Sequence, residues 1–134
     1  MRRLRRRRQN GQALVEFAVV ANILVVLLLA IVQFGIVWMN YIAVTDAARE
    51  GARRAAVNRS SGQAAMMNAA TAAAKAAAPS LQQSNLTIAV SSQSGTWNQG
   101  DPIQVTVKYP YALTILGWAA KSGFLTSTTV MRAE

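Results

Sequence analysis

Glu16 stands near the start of an apolar stretch, GQALVEFAVVANILVV, four residues past Gln12 and five past Gly11. A carboxylate that enters hydrocarbon unpaired costs about 3 kcal/mol, so this one needs either water or a partner. Two readings are open. In the first, Glu16 is an interfacial acid reaching back to water. In the second, cleavage after Gly11 exposes the α-amine of Gln12, and that amine on one copy neutralises Glu16 on a neighbour, turning an unfavourable charge into a register signal. Position alone does not choose between them.

Other chemistry is scarce. The chain has no His and no Cys, which excludes disulfides, thiolate metal sites and the usual nucleophile and base pairs. Its five acids are scattered, and Lys121 beside Ser122 lacks the spacing of a Ser–Lys dyad. The sequence therefore reads as a non-enzyme with no cofactor and no metal.

The elements that would position Glu16 begin with a cationic leader. Six arginines occupy the first eight residues, and from Phe17 to Met39 there are 23 residues without a formal charge. As a helix those residues span about 35 Å, enough to cross the hydrocarbon core. A secretory signal peptide would have a shorter apolar region and a small-x-small cleavage site close behind it. Trp38 and Tyr41 stand where such a helix leaves the bilayer, as interfacial aromatics do. The arginine block predicts a cytoplasmic N-terminus with the remainder outside, a bias weakened by Arg49, Arg53, Arg54 and Arg59. The net charge of +9 is mainly a leader property: without the six leader arginines, eight basic residues face five acids, leaving +3. A nucleic-acid binder needs more exposed cation than that, so lipid is the expected partner of the basic block.

Beyond Tyr41 the helical pattern continues through NYIAVTDAAREGARRAAVN, giving one helix from about Ala13 to Val57. Asp46 with Arg49, and Glu50 with Arg53 and Arg54, have spacings that let opposite charges meet on one face. Ala43, Ala47, Gly51 and Ala55 form a small-residue seam that lets another backbone approach closely, with a second row at Ala48, Ala52 and Ala56. Alanine-rich helices produce such rows by chance, but Gly51 costs about 1 kcal/mol against alanine and so argues for packing. NRSSG breaks the helix, with Ser60 or Ser61 as cap of a second, alanine-rich helix from Gln63 to Ala78 that ends before Pro79. Leu86–Val90 and Ile103–Tyr109 alternate like half-buried strands, and Phe124–Arg132 is a weaker third. YPYALTILGWAAKSG reads as a loop with a short helix. Trp97, Trp118, Tyr109 and Tyr111 read as core aromatics rather than a binding surface.

GQALVEFA, the apolar helix and DAAREGARRAA together resemble the TadE/TadG-like pilin-related proteins of tight-adherence pilus systems. The similarity is strongest from Gly11 to Ala56 and extends loosely to IQVTVKYPY and TSTTVMRAE. It implies a minor pilin or pseudopilin, cut by a prepilin peptidase between Gly11 and Gln12, with Glu16 as the assembly carboxylate. Other pilin or pseudopilin subunits, an assembly ATPase and inner-membrane platform proteins are the implied partners. Relatives often carry proline where this chain has Asn22 and an acid where it has Gln33, so a role for that acid does not transfer.

The expected fold is α+β: a basic leader (1–11), a transmembrane and extended N-terminal helix (12–57), and a small extracytoplasmic domain (58–134) with an alanine-rich helix and a three-stranded antiparallel sheet. The protein is expected in the inner membrane as a single pass, with its C-terminal domain outside the cytoplasm. The competing expectation is an unprocessed signal-anchor protein with a small binding or scaffold domain.

Overall fold

The computed structural model describes residues 3–95, 97–98, 100–115 and 118–132, with backbone alone for residues 3–10, 115 and 118–120. A single helix, α1 (Arg3–Val57), is followed by a 3-10 turn (Arg59–Ser61), helix α2 (Gln63–Ala77), a second 3-10 turn (Gln83–Asn85) and strands β1 (Thr87–Ser92), β2 (Pro102–Ile115) and β3 (Trp118–Arg132). The architecture is the α+β arrangement anticipated from the residue pattern. The strands form one antiparallel sheet in the order β1-β2-β3.

α1 ends at Val57, and the chain reverses through the 3-10 turn and Gly62. The expected serine cap is not made: Gly62 takes the N-cap position of α2 at φ 92, and no side chain caps that end. A left-handed φ carries no steric penalty for glycine, whereas Ser60 or Ser61 would have had to bring a Cβ into that corner. At the other end of α2, the Gln83 side-chain amide donates to the carbonyl oxygens of Ala78 at 3.0 Å and Lys75 at 3.2 Å, adding to the backbone N–H groups of Leu81 and Ala78 that these oxygens already accept.

The core is small and alanine-rich. Val44, Ala47, Ala48, Ala52 and Ala55 of α1 meet Met66, Ala70 and Ala74 of α2, and Ile103, Val105 and Val107 of β2 close it from the sheet side. α1 packs on β2 and β3, and α2 lies against α1 with its edge towards β1. Short side chains on both helices let the backbones come close enough for the sheet to reach both.

Of the segment expected as a loop with a short helix, residues 109–115 and 118–123 are instead strand, the far half of a long hairpin, and residues 116–117 lie outside the described residues. β2 and β3 stay paired from Pro102↔Arg132 to Ile115↔Trp118, with one register shift at Leu113/Thr114. Tyr111 lies opposite Gly123, and a Cβ built on Gly123 would stand 3.1 Å from the Tyr111 ring. The ring thus fills the space of the missing side chain, which favours pairing in a stretch of poor strand formers.

This hairpin runs along α1 for most of its length. Val105 meets Gly51 at one end, and at the other the Gln33 side-chain amide donates to the Thr114 carbonyl at 3.0 Å. Nine strand residues cover about 30 Å and the eighteen helical residues between Gln33 and Gly51 about 27 Å, so the two elements run nearly alongside each other. The face of α1 they share is visible as a partly covered row at Ala30, Gln33, Val37 and Asn40 leading into buried Val44 and Ala47.

Candidate functional site

The residues expected to act fall at two places on α1, separated by 27 residues between Glu16 and Ala43, or about 40 Å of helix. They do not form one site.

At the N-terminal place, Gly11, Gln12 and Glu16 are exposed, and a Cβ added at Gly11 would meet nothing within 4 Å. The helix brings Gln12 and Glu16 onto one face, where the Gln12 side-chain amide donates to Glu16 Oε1 at 3.1 Å. This hydrogen bond joins a neutral amide to the carboxylate, and among the described side chains no cation pairs with Glu16. From here the helix is apolar and bare: its most hydrophobic window has mean hydropathy 2.8 and no buried share, and it is long and apolar enough to cross a membrane. A helical window that is apolar all round and has none of its length buried has lipid as its natural surroundings.

At the other place, the seam is covered by the chain's own domain. Ala43 is half-buried, and Ala47, Gly51 and Ala55 are buried. A Cβ on Gly51 would lie 3.1 Å from the Ala74 Cβ, 3.2 Å from Val105 Cγ1 and 3.3 Å from the Ala70 carbonyl oxygen. Those neighbours belong to α2 and β2, so the close approach at Gly51 serves the fold of this chain.

The charged face beside the seam behaves as its spacing suggested. Arg53 donates to both oxygens of Glu50, at 2.7 and 2.8 Å, Arg54 lies 3.4 Å from the same carboxylate, and Arg49 stands 3.9 Å from Asp46. The hydrogen bond from Arg53, and then the charges of Arg53 and Arg54, hold the Glu50 carboxyl below its ordinary value, and the same pairing pushes Arg53 up. These pairs are solvent-exposed and contribute little stability individually.

Of the aromatics, Trp97 and Tyr109 pack against the core, while the side chain of Trp118 lies outside the described residues. Among the described residues no group of three His, Cys, Asp or Glu could hold a metal ion. Gln33 is the residue that reasoning from sequence undervalued. Its amide tethers the end of the hairpin to the apolar helix, a contact 81 positions apart that no local pattern signals.

Comparison with known proteins adds one finding. The model of the TadE-like protein family matches residues 11–53, about a third of the chain, so this segment is TadE-like. No curated protein and no solved structure matches the chain.

Proposed function

We propose that this protein is a minor pilin-like or pseudopilin-like structural subunit of a tight-adherence pilus or a related secretion apparatus, cut by a prepilin peptidase after Gly11 and assembled through the apolar half of α1. The observation that carries the reading is the extent of the TadE-like match, which starts at Gly11 and follows α1 through the apolar run into the half that the domain covers.

The arginines ahead of Gly11 hold that end of the helix at the cytoplasmic face, where anionic lipid and the positive-inside bias both favour them. The scissile bond is helical in the precursor. A peptidase must open that turn, and glycine lowers the cost by about 1 kcal/mol relative to alanine. Nothing packs on Gly11 to obstruct access. The cut creates a positive charge on Gln12, one helical turn from Glu16. In the assembled state the amine pairs with the Glu16 carboxylate of a neighbouring subunit, removing the cost of an unpaired acid at the membrane edge. The peptidase, sister subunits, assembly ATPase and inner-membrane platform are the partners this reading requires.

The test joins two measurements on the same preparation: the N-terminus of the mature protein, and its co-purification with the apparatus. Wild-type protein should begin at Gln12. Glu16→Ala and Glu16→Gln should both insert and be cut but fail to incorporate, because each removes the charge and only the second keeps the shape. Retention of Met1 would make the protein an unprocessed anchor, and normal incorporation of both variants would remove Glu16 from the mechanism.

A further inference from the structure

The end of the β2–β3 hairpin lies beside the part of α1 that is built for lipid. Gln33, which holds Thr114, is six residues inside Met39, about 9 Å of helix below the end of the uncharged run. On the other sides of α1 at this level the large apolar side chains are bare: Phe34 is 65% exposed, Trp38 56% and Met39 55%. A helix surface of this kind belongs in hydrocarbon or its interface, and the hairpin is tethered to it at the same depth.

The hairpin loses its charges as it approaches that depth. On its outward face the upper part carries Gln104, Thr106, Lys108, Thr126, Thr128 and Val130, and the lower part carries Pro110, Ala112, Thr114, Ser122 and Phe124, the last 69% exposed. The twelve residues from Tyr109 to Ala120 contain no charge, and the first charge on the returning strand is the exposed Lys121. Pro110 and Phe124 are paired four strand residues above Thr114. That is about 13 Å, which brings them level with Tyr41 and Ile42 of α1. Trp38, Tyr41 and Phe124 thus form a common aromatic level on both elements, as at a membrane interface. Backbone pairing persists to Ile115↔Trp118 and satisfies the polar groups shared between the strands, while β1 pairing ends at Thr87↔Lys108 and leaves the outer edge of β2 beyond it to be met by headgroups or water.

We propose that the hairpin below Pro110 and Phe124 is a second membrane contact, immersed beside α1 in the half of the bilayer that faces the folded domain, with Lys121 reaching to lipid phosphate. The occupant is lipid, because Gln33 holds the hairpin end at the depth of the bare, uncharged part of α1. The proposal rests on α1 crossing the membrane and is independent of the pilus assignment. Lysine can place its stem along apolar surface while its ammonium reaches the headgroups.

The absence of native cysteine allows single nitroxide labels to be placed cleanly. The full chain, with Cys introduced at Thr114, Ala112, Ile36, Ile23 or Thr128 in turn, is reconstituted into phosphatidylcholine/phosphatidylglycerol vesicles, and the collision rates of the label with oxygen and with a water-soluble nickel chelate are compared. Expected is oxygen in excess of nickel for Thr114→Cys and Ala112→Cys, as for Ile36→Cys and Ile23→Cys, and the reverse order for Thr128→Cys. Nickel in excess at Thr114 and Ala112 with Ile23 still in lipid would overturn the immersion while leaving the anchor intact. Low collision with both reagents at Thr114 and Ala112 would show a protein partner in place of lipid and equally refute it. Nickel in excess at Ile23 would refute the membrane span and the immersion together.

Discussion

Substitution of Gly51 tests whether the domain and the helix form one packed body. A first side-chain carbon at this position would meet three atoms at 3.1–3.3 Å, all closer than the optimum of about 3.5–4.0 Å between carbon atoms. One of them is the Ala70 carbonyl oxygen, backbone that cannot rotate away. Gly51→Ala gains about 1 kcal/mol of helix propensity and loses about 1–3 kcal/mol to overpacking, a net loss of about 0–2 kcal/mol. Gly51→Val adds two methyl groups beyond that carbon with a smaller propensity gain, and should cost about 3 kcal/mol or more. Gly35 is the control, because nothing lies within 4 Å of a Cβ built there and Gly35→Ala should be neutral or stabilising. Far-UV dichroism would be dominated by α1, which stays helical in a micelle. Opening of the sheet is better read by brief trypsin pulses in increasing urea. Cleavage after Lys108 reports it, since Lys108 is held in the ladder between Thr87 and Thr126. With a urea slope of about 1.5 kcal/mol/M, Gly51→Val should lower the midpoint by about 2 M. A midpoint within about 0.3 M of wild type would refute the close packing of α1 on α2 and β2.

Three further outcomes follow from other parts of the chain. Gly11→Val should leave the full-length precursor, because a branched side chain at the cut hinders the peptidase; a normal mature mass would contradict the assignment of the cleavage site. A reporter that folds only outside the cytoplasm should be active when fused after Glu134, and activity of a strictly cytoplasmic reporter there would invert the topology. Since the Glu50 carboxyl is held below its ordinary 4.5, its stabilising effect is present above that value and is lost as pH falls through the lower folded-state value. The difference in midpoint between wild type and Glu50→Gln should therefore be largest near neutral pH and vanish in acid, and a constant difference would assign the effect to packing.

Much of this architecture is legible in local pattern. The C-terminal end of α1, the ends of α2, the exposed ion pairs and the alternating strands are each set by residues a few positions apart, which is the range over which propensity and periodicity act. The hairpin end is different. Ala112, Ala119, Ala120 and Gly123 are poor strand formers, and their extended backbone is imposed by pairing across the hairpin and by the Tyr111 ring over Gly123. The seam shows the same division. Its four-residue spacing announces a close approach, but that Ala70, Ala74 and Val105 make it depends on contacts far along the chain. Gln33 reads in sequence only as an acid that is missing, whereas its amide donates a hydrogen bond that an ionised carboxylate could not.

The unbroken course of α1, held by the hairpin from Gln33 upward, makes the helix a rigid lever. No loop separates its apolar part from the sheet, so any inclination the bilayer imposes on the shaft must be followed by the whole domain. Transmembrane helices commonly incline by about 20°, and Val57 is about 27 Å of helix beyond Met39, so such a tilt would swing the far end sideways by about 9 Å. With α1 across a membrane, bilayer thickness would thereby govern where the sheet points.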